Sequence, residues 1–511
     1  MNLVEILNRA ADQAASKKFL VYEKDSLSFG DFREKSRRFA AGLKAMGVKK
    51  TDKVAILLNN SFEFLIAYFG TVMLGAEAVP LNTFLKLDEI VYILDDSKTK
   101  IFITSSDFSP VLKDFKSNRM QALTNIVSAG PLDALQYTEF DCVYRDEPVP
   151  HISINDNDTA VIIYTSGTTG RPKGAMLTHK NLISNVESGI SAIHISKNDR
   201  FIIFLPMFHA FSFTVCVLIP LYCMCHLTII KSIQPFGKIV KALIKDRITI
   251  FVAIPTVYNV LASKRFNKFL LGLYLKITPL RVCVSGAAPL AAEVLKKFEE
   301  KFKVPLMEGY GLSEASPIVS VNPLDGVRKA GSVGPPIPGV QAEITDENGV
   351  ILPLESIGEI IVNGPNVMKG YYNKEEETKE IIKDGWLYTG DIGKKDKDGY
   401  IYILDRKKDL IITNGMNMYP REVEEVLYSH PAVADASVVG KTDLSHGEIP
   451  IGVIKLKEGA FATDTELKKF CRSAVAPFKV PHRFEFWDEL PRTGTGKVLK
   501  REIRRIINEQ R

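Results

Sequence analysis

Residues 164–174 contain the densest group of side chains and backbone positions that could bind an anion. The segment holds four Ser or Thr hydroxyls, three glycines and Lys173. It follows the apolar run 160–163, so we expect a loop that leaves a buried strand. Glycine lets backbone N–H groups approach a ligand closely, and hydroxyls donate to phosphate oxygens. The segment predicts a phosphate-binding loop made of Thr165, Ser166, Gly167, Thr168, Thr169, Gly170 and Lys173.

A second candidate is the segment 310–314, Tyr-Gly-Leu-Ser-Glu, which follows the apolar run 304–307. The ring of Tyr310 can stack on a base, and the hydroxyl of Ser313 can donate to a phosphate. The carboxylate of Glu314 can hold Mg²⁺, which prefers oxygen ligands. Taken alone, these five residues are equally consistent with a plain turn.

Three smaller groups could complete such a site. Residues 285–289 follow an apolar run and predict a small-residue turn before a helix, although close backbone packing explains them too. The carboxylate of Asp391 can accept hydrogen bonds from two hydroxyls at once. Lys497 follows two glycines within the segment 491–497, and its compact ammonium can reach two anionic oxygens.

Residues 165–174, TSGTTGRPKG, resemble the signature of the adenylate-forming superfamily, which includes acyl-CoA synthetases, amino-acid adenylation domains and firefly-type luciferases. The resemblance extends from residues 27–29 to Lys497, nearly the whole chain. It implies a reaction in two halves. A carboxylate attacks the α-phosphate of ATP and releases pyrophosphate, and a thiol then displaces AMP. The implied cofactors are ATP, Mg²⁺ and CoA.

The resemblance also implies a role for each candidate residue. The ATP- and AMP-binding residues are those of the phosphate loop together with Gly286, Ala287, Ala288, Tyr310, Gly311, Ser313, Asp391, Ile403 and Arg406. The catalytic residues are Lys497, Glu314 and His209, and Glu314 is also the metal ligand. Gly415 and Met416 face the CoA channel, and Lys408 is the hinge of a mobile C-terminal domain.

The acid substrate is suggested by residues 205–211, at the position of the acyl-pocket motif. Activators of amino acids need a buried carboxylate for the α-ammonium group, whereas this segment has His209 and Ala210 and no aspartate. We therefore expect a medium- or long-chain fatty acid, activated and transferred to CoA. The alternatives are an aryl-acid CoA ligase, an acyl-AMP ligase that loads a carrier-protein phosphopantetheine, a luciferase-like oxygenase and a non-catalytic fatty-acid binder.

The elements that must position these residues change character along the chain. Apolar runs alternate with helical patterns over the first 300 residues, which is typical of parallel α/β units. Turn signals after Gly331 predict antiparallel β structure, and a charged, flexible-looking break begins at Asp405. These changes fit the α/β fold that the resemblance implies: a large N-terminal domain (1–404) of α/β subdomains and a distorted β-barrel, and a small mobile α+β C-terminal domain (405–511).

Composition limits the partners. A net charge of +6 over 511 residues does not indicate nucleic-acid binding. Residues 201–230 lack charged side chains, but Pro206 and Pro220 interrupt them, so we expect buried core rather than a membrane span. The basic and apolar segment 263–276 could rest on an anionic membrane, although a helix packed on the domain is favoured. We predict a cytoplasmic protein; peripheral contact with the inner face of the membrane and a homodimer stay open.

Overall fold

The computed structural model describes residues 1–116, 120–133, 135–165, 171–264, 277–413, 416–443, 445–492 and 498–509. These residues form four β-sheets with helices packed against them. The helices are α1 Leu3–Gln13, α2 Phe29–Ala45, α3 Phe62–Val72, α4 Leu87–Asp96, α5 Ser109–Leu112, α6 His179–Ile193, α7 Ala210–Phe213, α8 Ile219–Tyr222, α9 Phe236–Lys245, α10 Pro255–Ser263, α11 Ala292–Phe302, α12 Glu375–Ile381, α13 Pro420–Ser429, α14 Asp464–Arg472 and α15 Lys500–Glu509. The strands are β1 Lys18–Tyr22, β2 Asp25–Ser28, β3 Lys53–Ile56, β4 Glu77–Pro80, β5 Thr99–Ser105, β6 Asn125–Ala129, β7 Thr138–Glu139, β8 Thr159–Thr165, β9 Lys173–Thr178, β10 Arg200–Ile203, β11 His226–Ile229, β12 Ile250–Ala253, β13 Val282–Ser285, β14 Leu306–Gly311, β15 Ile318–Val321, β16 Gln341–Thr345, β17 Ile357–Asn363, β18 Gly370–Tyr371, β19 Ile382–Lys383, β20 Trp386–Lys395, β21 Ile401–Arg406, β22 Ile411–Thr413, β23 Met416–Met418, β24 Val433–Asp443, β25 Gly447–Leu456 and β26 Arg483–Phe486.

The first sheet has the order β15-β14-β13-β12-β10-β11-β1-β2. Its six central strands run parallel, and an antiparallel strand closes each edge. Most of their side chains are buried, as continuous apolar runs predict for parallel strands covered on both faces. The carboxyl ends of parallel strands meet at one edge, so the segments after β10, β13 and β14 are brought together there.

The second sheet has the order β18-β9-β8-β4-β3-β5-β6-β7. Strands β3 to β8 pair in parallel, whereas β8, β9 and β18 form an antiparallel end. Helix α3 begins at Ser61, whose hydroxyl accepts the N–H of Phe64 as an N-cap. The parallel α/β units predicted for the first 300 residues are thereby confirmed.

The remaining two sheets are mainly antiparallel. Strands β16-β17-β20-β19, with β21 beside β20, occupy the region where the sequence predicts the β-barrel. Strands β23-β22-β25-β24, with β26 parallel to β25, belong to the C-terminal part and contribute to two apolar clusters formed only by residues after Leu410. The fold is therefore a large N-terminal domain followed by a small α+β domain, while the boundary at residue 404 stays a prediction.

The uncharged segment 201–230 lies in the core. It forms β10, α7, a turn of π-helix from Thr214 to Leu218, α8 and β11, and most of its side chains are buried. None of the helices in the described ranges is both long and apolar enough to cross a membrane. The membrane-contact hypothesis concerns 263–276, of which 265–276 lie outside the described residues.

The charged segment at residues 405–410 begins with a buried carboxylate. Asp405 is the penultimate residue of strand β21 and is only 6% exposed. Its carboxylate accepts the backbone N–H groups of Arg406 and Arg421, each at 2.8 Å. Residues Lys407–Asp409 form a single 3-10 turn that exposes Lys408. The contact with Arg421 is one that no local pattern marks. The flexible break and the hinge at Lys408 stay predictions.

Candidate active site

The ends of the candidate phosphate loop lie side by side. Thr165 ends β8 and Lys173 begins β9, and the two residues pair across the antiparallel register. The two residues that flank the predicted loop are therefore neighbours. Five predicted members lie outside the described residues: Ser166, Gly167, Thr168, Thr169 and Gly170.

The carboxylate of Glu314 lies beside this loop base. Its Oε1 accepts a hydrogen bond from Thr165 Oγ1 at 3.2 Å and another from the Tyr371 hydroxyl at 2.9 Å. The ammonium group of Lys173 lies 5.4 Å from the centre of the Tyr371 ring. Burial and the Glu314 carboxylate raise the pKa of Tyr371, so its hydroxyl stays a donor. Thr165, Lys173 and Glu314, predicted separately, are thus brought together.

The sequence pattern does not mark Tyr371. It joins the site because the short strand β18 pairs with β9, placing Tyr371 opposite Ala175. This pairing connects positions nearly 200 residues apart, and a lone Gly-Tyr pair carries no periodic signal.

Glu314 fits a Mg²⁺ ligand. Both described hydrogen bonds reach Oε1, and no described residue donates to Oε2. The described ranges contain no group of three or more His, Cys, Asp or Glu side chains that could hold a metal alone. A Mg²⁺ ion held here would therefore take one protein carboxylate and complete its shell with phosphate oxygens and water, an arrangement common for this ion.

A second polar group surrounds Asp391, which is 3% exposed. The Tyr310 hydroxyl donates to Asp391 Oδ2 at 2.6 Å, and Arg406 Nε lies 3.0 Å from Oδ1. Burial and the Asp391 carboxylate raise the pKa of Tyr310, which keeps the phenol protonated. Asp391 and Arg406 face each other across β20 and β21. The structure thus joins three predicted residues, and each carboxylate oxygen retains a further lone pair for a ligand hydroxyl.

The turn after β13 packs tightly against the acyl-pocket segment. A Cβ atom added at Gly286 would lie 2.8 Å from the tip of the Phe211 ring. Ala287 has a positive φ of 68°, a conformation that L-residues seldom adopt. Ala288 is the next residue of the same turn, before Pro289. Phe211 and Gly286 are therefore in close contact at the sheet edge.

Glu308 is a further site residue that the motifs did not include. Its Oε1 accepts the N–H of Leu290 at 2.9 Å, so it ties strand β14 to the turn after β13. Its Oε2 is buried and has no hydrogen-bond partner in the structure. Burial raises the pKa of Glu308 to about 7. A glutamate inside a buried apolar strand, two residues before Tyr310, is the sequence signal that could have identified it.

The other predicted residues lie at the edge of these groups. His209 caps helix α7, where its Nδ1 accepts the N–H of Phe211 at 3.3 Å. Gly311 cannot carry a side chain, because a Cβ there would overlap the carbonyl oxygen of Pro317. Ser313 begins a 3-10 turn that also holds Glu314.

The remaining predicted residues belong to the C-terminal domain or contact it. The carbonyl of Ile403 accepts a hydrogen bond from Arg421 Nη1 at 2.7 Å. Met416 begins β23 and is 41% exposed. Gly415 and Lys497 lie outside the described residues.

Comparisons with known proteins agree with this geometry. The AMP-binding enzyme family matches residues 7–372, and the C-terminal domain of AMP-binding enzymes matches residues 422–497. The chain is 35% identical to a long-chain-fatty-acid–CoA ligase of Bacillus subtilis, over 98% of this chain and 94% of that protein. It is 34% identical to a feruloyl-CoA synthase of Amycolatopsis, over 94% of each chain.

Among solved structures, ATP-bound MatB of Rhodopseudomonas palustris superposes with a TM-score of 0.90, at 33% identity over 100% of this chain and 99% of that chain. The apo form of the same protein gives 0.78 with the same coverage, at 32% identity. The two matched family segments together span most of the sequence, from the phosphate loop to the lysine-bearing loop. The chain therefore belongs to the family of AMP-binding enzymes.

Proposed function

We propose that the protein is an AMP-forming acid–CoA ligase that acts on medium- or long-chain fatty acids. The acid carboxylate attacks the α-phosphate of ATP, forming an acyl adenylate and pyrophosphate. The thiol of CoA then attacks the acyl carbon, forming acyl-CoA and releasing AMP. Activation is needed because a carboxylate is a poor electrophile, whereas the adenylate carries a good leaving group.

One observation carries this proposal: residues 310–314 join the Asp391 group to the Glu314 group. Tyr310 donates to Asp391, and four residues later Glu314 accepts from Thr165 at the base of the phosphate loop. A buried carboxylate suited to ribose hydroxyls thus lies one short segment away from a metal-binding carboxylate and a phosphate loop. This order matches the order of ribose, phosphate and Mg²⁺ in a bound nucleotide.

We assign binding roles from these contacts. Asp391 accepts from the ribose hydroxyls, while Tyr310 and Arg406 fix its orientation. The buried, unpartnered Oε2 of Glu308 accepts from the amino group of adenine, since it adjoins the turn at Gly286. Lys173 and Thr165 hold phosphate oxygens. A Mg²⁺ ion held by Glu314 Oε2 would offset the negative charge of the phosphates. Lys497 would neutralise the negative charge that the acid and the α-phosphate bring together.

An aliphatic acid is supported by the lining of the expected acyl pocket. Residues 205–217 contain no carboxylate and are mostly buried apolar side chains, so an ammonium group would lack a counter-charge. An aryl acid is the second candidate. The ring of Phe211, packed against Gly286, would offer a flat apolar surface to a planar acid.

The test is pyrophosphate release from Mg-ATP with acetate, octanoate, palmitate, oleate, benzoate, ferulate and amino acids, each with and without CoA. We expect the highest turnover with an aliphatic acid, dependence on CoA, and acyl-CoA as product. A maximum with benzoate or ferulate would select the aryl-acid ligase. A burst that stops at acyl-AMP despite CoA would point to a carrier-protein acceptor, and no release with any acid would reject the proposal.

The role of Lys497 is tested by separating the half-reactions. We expect Lys497→Ala to reduce acyl-AMP formation by about 10²–10³-fold, because one charge-stabilising donor is lost. Thioester formation from supplied acyl-AMP should be retained. Lys469→Ala, which removes an exposed lysine of the same domain, is the matched control. Equal loss of both half-reactions in Lys497→Ala would contradict the assignment.

A further inference from the structure

A largely buried cation, Lys500, joins strand β21 to helix α13. Lys500 Nζ lies 2.9 Å from Glu424 Oε1 and 3.8 Å from Asp405 Oδ1. The side chains of Lys500, Glu424 and Asp405 are 19%, 12% and 5% exposed. Burial lowers the pKa of Lys500, but the two carboxylates outweigh it and raise that pKa, so the ammonium stays charged. Removing one member of such a group leaves an uncompensated buried charge, which is costly.

The group belongs to elements from both sides of the predicted hinge. Asp405 is the penultimate residue of β21, next to Arg406, which pairs with Asp391. Glu424 lies in α13, and Lys500 begins α15. Asp405 also accepts the backbone N–H of Arg421 in the first turn of α13. The strand that carries the ribose-side arginine is therefore attached to two helices of the C-terminal domain.

The same cation lies at the base of the lysine-bearing loop. Arg492 pairs with Asp435 and forms an antiparallel bridge with Val498. The N–H of Leu499 donates to the carbonyl of Pro491 at 2.8 Å. The chain on both sides of 493–497 is thus fixed, and Lys500 immediately follows this paired base.

We propose that Lys500 is a positioning residue for adenylation: by pairing with Asp405 and Glu424, it holds the base of the 491–499 loop against β21. On the proposed function, an anchor at this base positions Lys497 for adenylation. The inference rests on the proposed role of Lys497. Displacing a catalytic group by about 1 Å costs about 10²-fold in rate. An anchor at Lys500, three residues from Lys497, is therefore close enough to control the position of that lysine.

The test compares Lys500→Met and Lys500→Arg in the two half-reactions. In Lys500→Met, we expect kcat for acyl-AMP formation to fall about 10–100-fold. The KM for ATP should change little, since Tyr310, Glu314 and Asp391 lie on the N-terminal domain, and thioester formation from supplied acyl-AMP should be retained. Lys500→Arg keeps the charge and should restore most of the rate. Equal loss of both half-reactions, or no loss, would overturn the inference.

Arg505→Met is the matched control. Arg505 lies on the same helix and pairs only with Glu502 and Glu509 among the described residues. Hydrogen exchange of the amides 498–503 gives a readout that does not depend on activity. We expect faster exchange in Lys500→Met than in the wild type or Arg505→Met. Unchanged exchange in Lys500→Met would by itself refute the role of Lys500 as an anchor. A wild-type protein that activates no acid would refute the proposed function, and the exchange result would still decide whether Lys500 is an anchor.

Discussion

At the residue scale, the two oxygens of Glu314 differ in their surroundings. Oε1 accepts from Thr165 and Tyr371, and this fixes the carboxylate so that Oε2 faces away from both donors. Partners that orient a metal ligand commonly matter almost as much for metal affinity as the ligand itself. Tyr371 is therefore expected to act on Mg²⁺ without touching it.

We predict that Tyr371→Phe raises the Mg²⁺ concentration needed for half-maximal acyl-AMP formation by about tenfold. The substitution removes the hydroxyl donor but keeps the ring beneath Lys173. The measurement is pyrophosphate release against Mg²⁺ concentration at fixed ATP. Tyr372→Phe serves as control, because the ring of Tyr372 lies near Lys53 instead. An unchanged Mg²⁺ dependence in Tyr371→Phe would show that Thr165 alone orients Glu314.

The residue types of the site could be predicted where they are local to one segment. Thr165, Lys173 and Glu314 follow apolar runs, and their chemistry indicates phosphate and metal binding. Tyr371 and Glu308 could not be found in the same way. Tyr371 depends on a strand pairing over a long sequence separation, and Glu308 lies in a run that otherwise reads as core.

At the element scale, the buried strands were the best predicted features. The apolar run 160–163, expected to belong to a buried strand, lies within β8, Thr159–Thr165. The uncharged segment 201–230, expected to be buried core, contains β10 and β11. Sheet order and the burial of Asp405 could not be predicted, because both depend on pairings between distant segments.

The contact between helix α7 and the turn after β13 predicts a size limit for the acid. Gly286→Ala places a Cβ atom 2.8 Å from the Phe211 ring, so the ring or the turn must move. We expect kcat/KM for palmitate to fall about tenfold, with a smaller change for acetate, because displacement of Phe211 affects a long acyl chain more than a two-carbon acid. Competition between the two acids measures the ratio.

Gly237→Ala is the control for this prediction. A Cβ atom at Gly237, in helix α9, has no other atom within 4 Å. The added methyl group should leave substrate preference unchanged. Equal loss of activity toward both acids in Gly286→Ala would instead indicate damage to the nucleotide site.

At the scale of the whole molecule, the chain superposes better on the nucleotide-bound form of a relative than on its apo form. ATP-bound MatB superposes with a TM-score of 0.90, and apo MatB with 0.78. In this arrangement, charged groups of α13 face the nucleotide side of the N-terminal domain. Arg421 lowers and Glu425 raises the pKa of Glu308, although burial has the larger effect. The protonation of Glu308 therefore depends on how the domains meet.

We predict that this carboxyl group makes the protein less stable as the pH rises. Its pKa is about 7 when folded, against an ordinary value of 4.5, so the folded state binds the proton more tightly. Glu308 therefore stabilises the fold fully below pH 4.5, and this contribution is lost as pH rises to 7, by at most about 3 kcal/mol. Glu308→Gln keeps an acceptor for Leu290 but cannot ionise. Urea denaturation at pH 5, 6, 7 and 8 should show that the stability of Glu308→Gln, relative to wild type, increases with pH up to about 7 and then levels off.

Glu300→Gln, at an exposed position, is the control and should show no such trend. A pH-independent difference between Glu308→Gln and wild type would mean that Arg421 keeps Glu308 ionised throughout.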